Sequence, residues 1–376
     1  MSLGSVSVNN LDLSQGTPDA VECLNLFAGT CQGAKEKDTV QAINMKTDLD
    51  DLLGATDSSL KTQILAARAN AGQNWFAYTM PLTSATGWLD KVDSAVAETS
   101  VESIVATDPA SAKADLEAMH AKAGELISKY QRRTFFQACI TGPSEQSWAD
   151  YVTAAKAITA NVSADRVLVT PLLYPDFQGA IAGRLANKAV SIADSPMRVA
   201  TGTLIGSYAD KPEDQASKPL DKSILLDLHD NGRFTVPTWY EDYDGTFTSD
   251  GYTLAAETSD YRVIENLRVT DKAARRIYLL AVARIANRLL NSTPASVAMN
   301  KTYFMKPLRE MAHSTEINGI TFPGDITQPL DTDIEISWPT KYSVEIYFVI
   351  RPYNSPKEIT CNITLDLTNA ALQPAA

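Results

Sequence analysis

Between residues 96 and 206 the chain alternates strand-like and helix-like segments with only a few residues between them. No other feature narrows the fold as far. Residues 101–107, 135–140 and 166–170 are short apolar runs of the kind that fill strands buried on both faces. Residues 109–132 place Leu116, Met119, Ala123, Leu126, Ile127 and Tyr130 on one helical stripe. Residues 144–160 do the same with Trp148, Tyr151, Val152, Ala155 and Ile158. A third helix is expected at 177–192 and a fourth strand at 197–201. Connections this short imply right-handed crossovers, and hence a parallel sheet covered by helices on both faces. The expected fold class is α/β, with a parallel βαβ middle domain.

The flanks are patterned differently. Residues 21–28 read as a buried strand, Gly29 and Gly33 turn the chain, and 39–44 resume it. A short helix is expected at 49–54 with Gly54 just past its end, and a second at 60–70 capped by Ser58 or Ser59. Residues 75–80 form a strand that Pro81 stops. From 207 to 260, Pro212, Pro219, Pro237, Asn231-Gly232, Asp244-Gly245 and Asp250-Gly251 predict turns and hairpins. Helices follow at 271–290, capped by Thr270 or Asp271, and at 296–310. A β-meander is expected at 334–338, 344–350 and 359–368, with turns at Pro339 and Asn354-Ser-Pro356. The chain thus divides into an N-terminal strand arm (1–20), an N-terminal α/β segment (21–95), the parallel domain (96–206), a turn-rich connection (207–260) and an α+β C-terminal domain (261–376).

Both ends are written as extended strands. Ile359, Cys361, Ile363, Leu365 and Leu367 alternate with polar residues, as do Val6, Val8, Leu11 and Leu13 apart from a slip at Asn9-Asn10. Alternation with period two gives each segment one apolar face. Such ends either close the chain's own sheet or add to the sheet edge of a neighbouring subunit.

The pattern is poor in groups that carry chemistry. A formal net charge of −12 argues against a nucleic-acid footprint. Cys23, Cys31, Cys139 and Cys361 include no C-x-x-C pair, and no run approaches the ~18 apolar residues of a membrane span. No basic stretch followed by an apolar one opens the chain, so a reducing cytoplasm is expected. The carboxyl ends of the parallel strands, where such sheets bind ligands, offer only Asp108, read as a helix cap. The Gly29 to Lys35 loop lacks the spacing of a phosphate loop. Asp242 to Gly251 fails the calcium-loop register, and Asp48, Asp50 and Asp51 suit a helix start. His120, His229 and His313 are scattered. No catalytic, cofactor or metal residue is assigned, although an α/β enzyme with an unidentified pocket at the strand ends stays open as an alternative.

The helix at 271–290 carries a second signal. Lys272, Arg275, Arg276 and Arg284 share one arc, and Ala274, Ile277, Tyr278, Ala281, Ile285 and Leu289 the other. In an acidic chain this reads either as a solvated amphipathic helix or as a basic docking face for an acidic partner.

Taken in order, residues 24–29 with Gly33, 39–44, 49–54, 60–70 and 71–74 resemble the N-terminal pattern of bacteriophage contractile tail sheath proteins, in a compact branch of that family. The run from Ser259 through Arg268 and Asp271 to Arg276, and the stretch from Ile334 to Pro339 followed by Glu345 to Phe348, are similar to the sheath C-terminal domain. The resemblance implies a subtilisin-like middle domain without a catalytic triad, and terminal arms that add strands to a neighbour's C-terminal sheet. It implies joints at Asn9-Asn10 and Asn354-Ser-Pro356, and a basic helix that touches an inner tube. The implied partners are copies of the chain in a helical polymer, the tail tube protein, and baseplate and tail terminator proteins, with no nucleic acid or membrane. The implied place is the virion tail, assembled in the host cytoplasm. Another virion component, from tube or baseplate, is the remaining alternative.

Overall fold

A computed structural model describes residues 21–365. The first half builds β1 (Asn25–Thr30), β2 (Gln41–Asn44), α1 (Leu49–Leu53), α2 (Ser59–Asn70), β3 (Phe76–Leu82), α3 (Trp88–Glu98), β4 (Ser103–Ala106), α4 (Lys113–Tyr130), β5 (Phe135–Ile140), α5 (Trp148–Thr159), β6 (Ala164–Pro171) and α6 (Phe177–Leu185). Next come α7 (Lys222–Leu226), β7 (Pro237–Tyr240), β8 (Tyr243–Thr248) and β9 (Thr253–Leu254). The last part holds α8 (Ile264–Val282), α9 (Pro294–Ala312), β10 (Thr315–Ile317), β11 (Ile320–Phe322), β12 (Ile334–Thr340) and β13 (Ser343–Phe348).

Seven strands form one sheet in the order β2-β3-β1-β4-β5-β6-β9. The five inner strands are parallel, and β2 and β9 run antiparallel at the margins. Successive side chains leave a strand on opposite faces, and two cores result. Leu26, Ala28, Ile104 and Ala106 pack with residues of α3, α4 and α5. Phe27, Ala77 and Val105 pack with residues of α1, α2 and α6. Helices α2 and α6 meet almost backbone to backbone. A Cβ on Gly179 would lie 2.1 Å from the Gln63 carbonyl oxygen, and one on Gly183 2.4 Å from that of Ala67. Both glycines lie four residues apart, as do their partners, so one stripe of α6 seats on one stripe of α2.

Several helix starts follow local polar chemistry. Asp48 accepts from the amides of Asp50 and Asp51, Ser58 from Lys61, and Ser147 from Asp150. Other expectations fail for long-range reasons. Residues 197–201 are not a strand but a 3-10 turn at Val199–Thr201. The segment wraps the Arg184 guanidinium, which donates to the carbonyls of Pro196 (2.8 Å), Gly202 (2.7 Å) and Arg198 (2.7 Å). Strand β9 takes the place beside β6 instead. Pro81 does not stop β3: β2 pairs only with residues 76–79, so the missing N–H of Pro81 faces no partner on that side. The β7–β8 turn lies at Glu241 and Asp242, with Asp244 and Gly245 inside β8.

A third core joins α8, α9 and the β12–β13 hairpin through Val269, Ala273, Phe304, Leu308, Met311, Ile334 and Ile336. Helix α8 begins at Ile264, not at Asp271. Asp271 is buried inside the helix and receives two bonds from Arg166, at 2.8 and 2.9 Å. One turn earlier, Arg268 (3% exposed) donates twice to Glu102, each at 2.8 Å, and once to the Leu185 carbonyl. These buried charges tie α8 to the parallel sheet. The expected meander has two strands rather than three, because residues 359–365 pair with nothing among the described residues.

Candidate assembly surfaces

The carboxyl ends of β1 and β4 are tied together by the chain itself. Asp108 caps no helix. Its carboxylate accepts from the Thr30 amide and hydroxyl, both at 2.8 Å, while Ser59 Oγ donates to the Thr107 carbonyl at 2.7 Å. These bonds cross the crevice beside β1, where the strand order reverses and a doubly wound sheet would hold a ligand. His120 faces Asp165, and His229 stacks on Tyr252 at 4.2 Å between ring centroids. Burial pushes the Cys139 thiol up, and pushes Cys23 up to about 11, so neither is a thiolate near neutral pH. Among the described residues, no group of three His, Cys, Asp or Glu side chains converges on a metal position, and no helix is long and apolar enough to cross a membrane.

The expected basic face of α8 is largely turned inward. Lys272 pairs with Asp325 at 2.6 Å, and Arg275 with Glu22 at 2.7 Å. Burial opposes the charge on Glu22, yet Arg275 outweighs it and holds the carboxyl below the usual carboxylate range. Arg284 lies over the Tyr303 ring, 4.0 Å from its centroid. Arg284 has no carboxylate partner among the described residues, and neither does Arg276. Arg276 lines a cleft of about 260 Å3 with Val21, Tyr130, Arg133, Tyr278 and Leu279. The outward ridge is apolar: Tyr278, Leu279, Val282, Ile285 (75% exposed) and Leu289. Regular helix stops at Val282, and Ala286 has φ +56°.

The clearest candidate for an assembly surface is the C-terminal hairpin. Its inner face buries Ile334 and Ile336, with Val344, Ile346 and Phe348 half-buried against the third core. Strands β12 and β13 pair only with each other, so each keeps an outer edge without a strand partner among the described residues. The Val349 amide donates inward to Asp333, which places the amides of Ile346 and Phe348 on the outer edge. Beyond the hairpin, Ile359, Ile363 (95% exposed) and Leu365 stand in solvent with their apolar alternation intact. Strand-patterned side chains without a sheet, and a sheet without edge partners, are what a strand-addition contact requires. Val6, Val8, Leu11, Leu13 and Leu367 lie outside the described residues.

The chain is similar to several known proteins. Residues 3–252 match the family model "DUF2586, N-terminal domain", and residues 260–368 match "DUF2586, C-terminal domain". A protein of Haemophilus phage HP1 (strain HP1c1), named "Putative tail sheath protein", is 42% identical over 371 residues, covering 96% of this chain and 98% of that protein. Among solved structures, a chain of the anti-feeding prophage baseplate aligns with a TM-score of 0.61 at 14% identity, covering 98% of this chain and 100% of that one. The sheath tail protein from Desulfitobacterium hafniense aligns at 0.55 and 9% identity, covering 93% and 96%. At these identities the structures speak to the fold alone.

Proposed function

Because the chain belongs to the tail sheath protein family, its length divided between the two DUF2586 domains, we propose that it is a structural subunit of a contractile phage tail sheath. Copies polymerise around a tail tube in an extended, metastable state. A baseplate signal then collapses the polymer to a shorter, wider form, and the tube is driven through the host envelope. The work comes from new contacts between subunits, with no nucleotide consumed.

The observation that carries this reading is the open-edged β12–β13 hairpin beside the exposed Ile359, Ile363 and Leu365. Residues 1–20, with Val6, Val8, Leu11 and Leu13, act as the second arm and add to a neighbour's hairpin. The division into 1–20, 21–95, 96–206, 207–260 and 261–376 fits these roles: the middle units form a subtilisin-like body without a triad, and the last carries the lattice. Fold alone does not confer the protease chemistry of that architecture. The tube contact is assigned to Arg276 and the apolar ridge of α8, since Lys272, Arg275 and Arg284 are engaged within the subunit. Baseplate and tail terminator proteins meet the ends of the polymer, which is assembled in the host cytoplasm and resides in the virion tail.

Negative-stain electron microscopy tests the reading on the purified full chain and on a variant lacking residues 1–13. The full chain should form long hollow tubes, and the deletion should stay a folded monomer. Small particles alone from the full chain, across salt and concentration, would overturn the sheath reading. Tubes of normal length from the deletion would overturn the arm assignment only.

A further inference from the structure

Both ends of the described chain are fastened to one helix by buried charge. On the C-terminal side, Lys357 Nζ lies between Asp250 Oδ1, at 2.9 Å, and the Glu265 carboxylate. Asp250 is 3% exposed and Glu265 6%. Asp250 also accepts from Ser195 Oγ at 2.5 Å and from the Gly251 amide at 3.1 Å. On the N-terminal side, Glu22 accepts from Arg275, and the next amide, of Cys23, donates at 2.7 Å to the Glu102 carboxylate that Arg268 holds. Glu265, Arg268 and Arg275 all belong to α8.

These contacts draw a sharp boundary in the tail. Up to Pro352 the chain is tied repeatedly, residues 353–356 make no hydrogen bond among the described residues, and Lys357 ties the chain once more through its side chain. The Val349 amide donates to Asp333, Arg351 pairs with Asp333 through its guanidinium, and the Thr327 amide donates to the Arg351 carbonyl at 2.8 Å. Pro352 bridges to Ile326. From 358 to 365 no hydrogen bond is made among the described residues.

We propose that Glu265 and Arg275 are mounts that fix where the two terminal arms leave the subunit, so that arm motion is confined to residues before Glu22 and after Lys357. The proposal rests on the sheath reading above. Withdrawing Lys357 would leave two carboxylates buried together, an arrangement that cannot keep both charges and that strongly destabilises a fold. Burial and the Asp250 charge already hold the Glu265 carboxyl above its usual range with Lys357 in place. The arm therefore swings beyond the pin rather than by breaking it. Ten residues of helix separate the mounts, roughly 15 Å at 1.5 Å per residue. That spacing stays constant while the subunit rotates, so the neighbours holding the two arms keep their register. The joint expected at Asn354-Ser-Pro356 sits between two fastenings, and the moving joint lies after Lys357.

Spin labels and microscopy test this on the full chain. In a Cys361→Ser background, a nitroxide at Ser355→Cys should be immobilised and one at Asn362→Cys mobile. Adding Lys357→Met with Glu265→Gln, which leaves one buried carboxylate still held by Ser195, should make the 355 label as mobile as the 362 label and abolish long tubes. Lys357→Arg should retain both. Glu22→Arg should likewise lose long tubes, and Glu22→Arg with Arg275→Glu should recover them. Equal mobility at 355 and 362 in the parent, or full-length tubes from the Lys357→Met, Glu265→Gln protein, would overturn the proposal. So would a charge swap that performs no better than Glu22→Arg alone. A parent that forms no tubes refutes the sheath reading instead, and the label contrast then decides the mounts by itself, as it does if the double variant fails to fold.

Discussion

In the seven-stranded sheet both margins are taken by short antiparallel strands, four residues in β2 and two in β9. The hairpin of β12 and β13 presents outer edges of seven and six residues with no strand partner among the described residues. Short, reversed margins discourage pairing between molecules, and a long open edge is a template for it. The contrast separates two tasks within one chain. The parallel sheet supplies a body with only short edges, and in the proposed assembly the hairpin keeps its unpaired edge groups for the lattice. A polymer that must rearrange without dissolving gains from this division, because the contacts between subunits are not the contacts that hold the body together.

Three perturbations probe that division. The largest effect is expected inside the body. Arg268→Met strips Glu102 of its buried partner and should cost about 3–5 kcal/mol of unfolding free energy, read from urea denaturation of the monomer. A loss below about 1 kcal/mol would mean that the junction between sheet and α8 is held by packing instead. On the lattice side, Ile359→Asp with Ile363→Asp should shift monomer stability by no more than about 0.5 kcal/mol, since both side chains are exposed, yet sedimentation should show that long polymers are lost. Polymers equal to the parent's would erase the contrast between body and edge. The smallest effect concerns a surface tie within the body. Asp38, held by Lys91 and by the Thr83 amide, has its pKa lowered from 3.8 to about 2. A carboxyl depressed on folding stabilises above its unfolded pKa, and the contribution fades as pH falls through the folded one. Asp38→Asn should therefore cost at most about 1 kcal/mol at pH 7, with the difference from the parent shrinking between pH 4 and pH 2.

The elements most legible in the sequence are those governed by nearby residues. Strands β4, β5 and β6 announce themselves as apolar runs because both faces are buried, and α4 and α5 through a single apolar stripe. Caps at Asp48 and Ser58 depend on residues two or three positions away. The misread segments depend on distant partners. Arg184 draws 197–201 out of strand geometry through three carbonyls. Asp271 looks like a helix start until Arg166, 105 residues earlier, turns it into a buried counter-ion. The basic stripe of α8 was visible, but its partners were not: Glu22 lies 253 residues from Arg275 and Asp325 lies 53 from Lys272. Helix α3 did carry a local signal, Val92, Ala95 and Val96 at helical spacing, after the left-handed Gly87. At the candidate site, the alternation of Ile359, Ile363 and Leu365 was plain in the sequence. That no described strand of their own subunit receives them was not.

The contact of α2 with α6 has a mechanical meaning. At Gly179 and Gly183 two helices touch through their main chains, with no side chain between them to yield. Tightly packed interiors have low compressibility and transmit strain. A body braced in this way behaves under load as a stiff link. In the proposed assembly, little of the force released by a contracting polymer would be dissipated within each such link on its way to the tip.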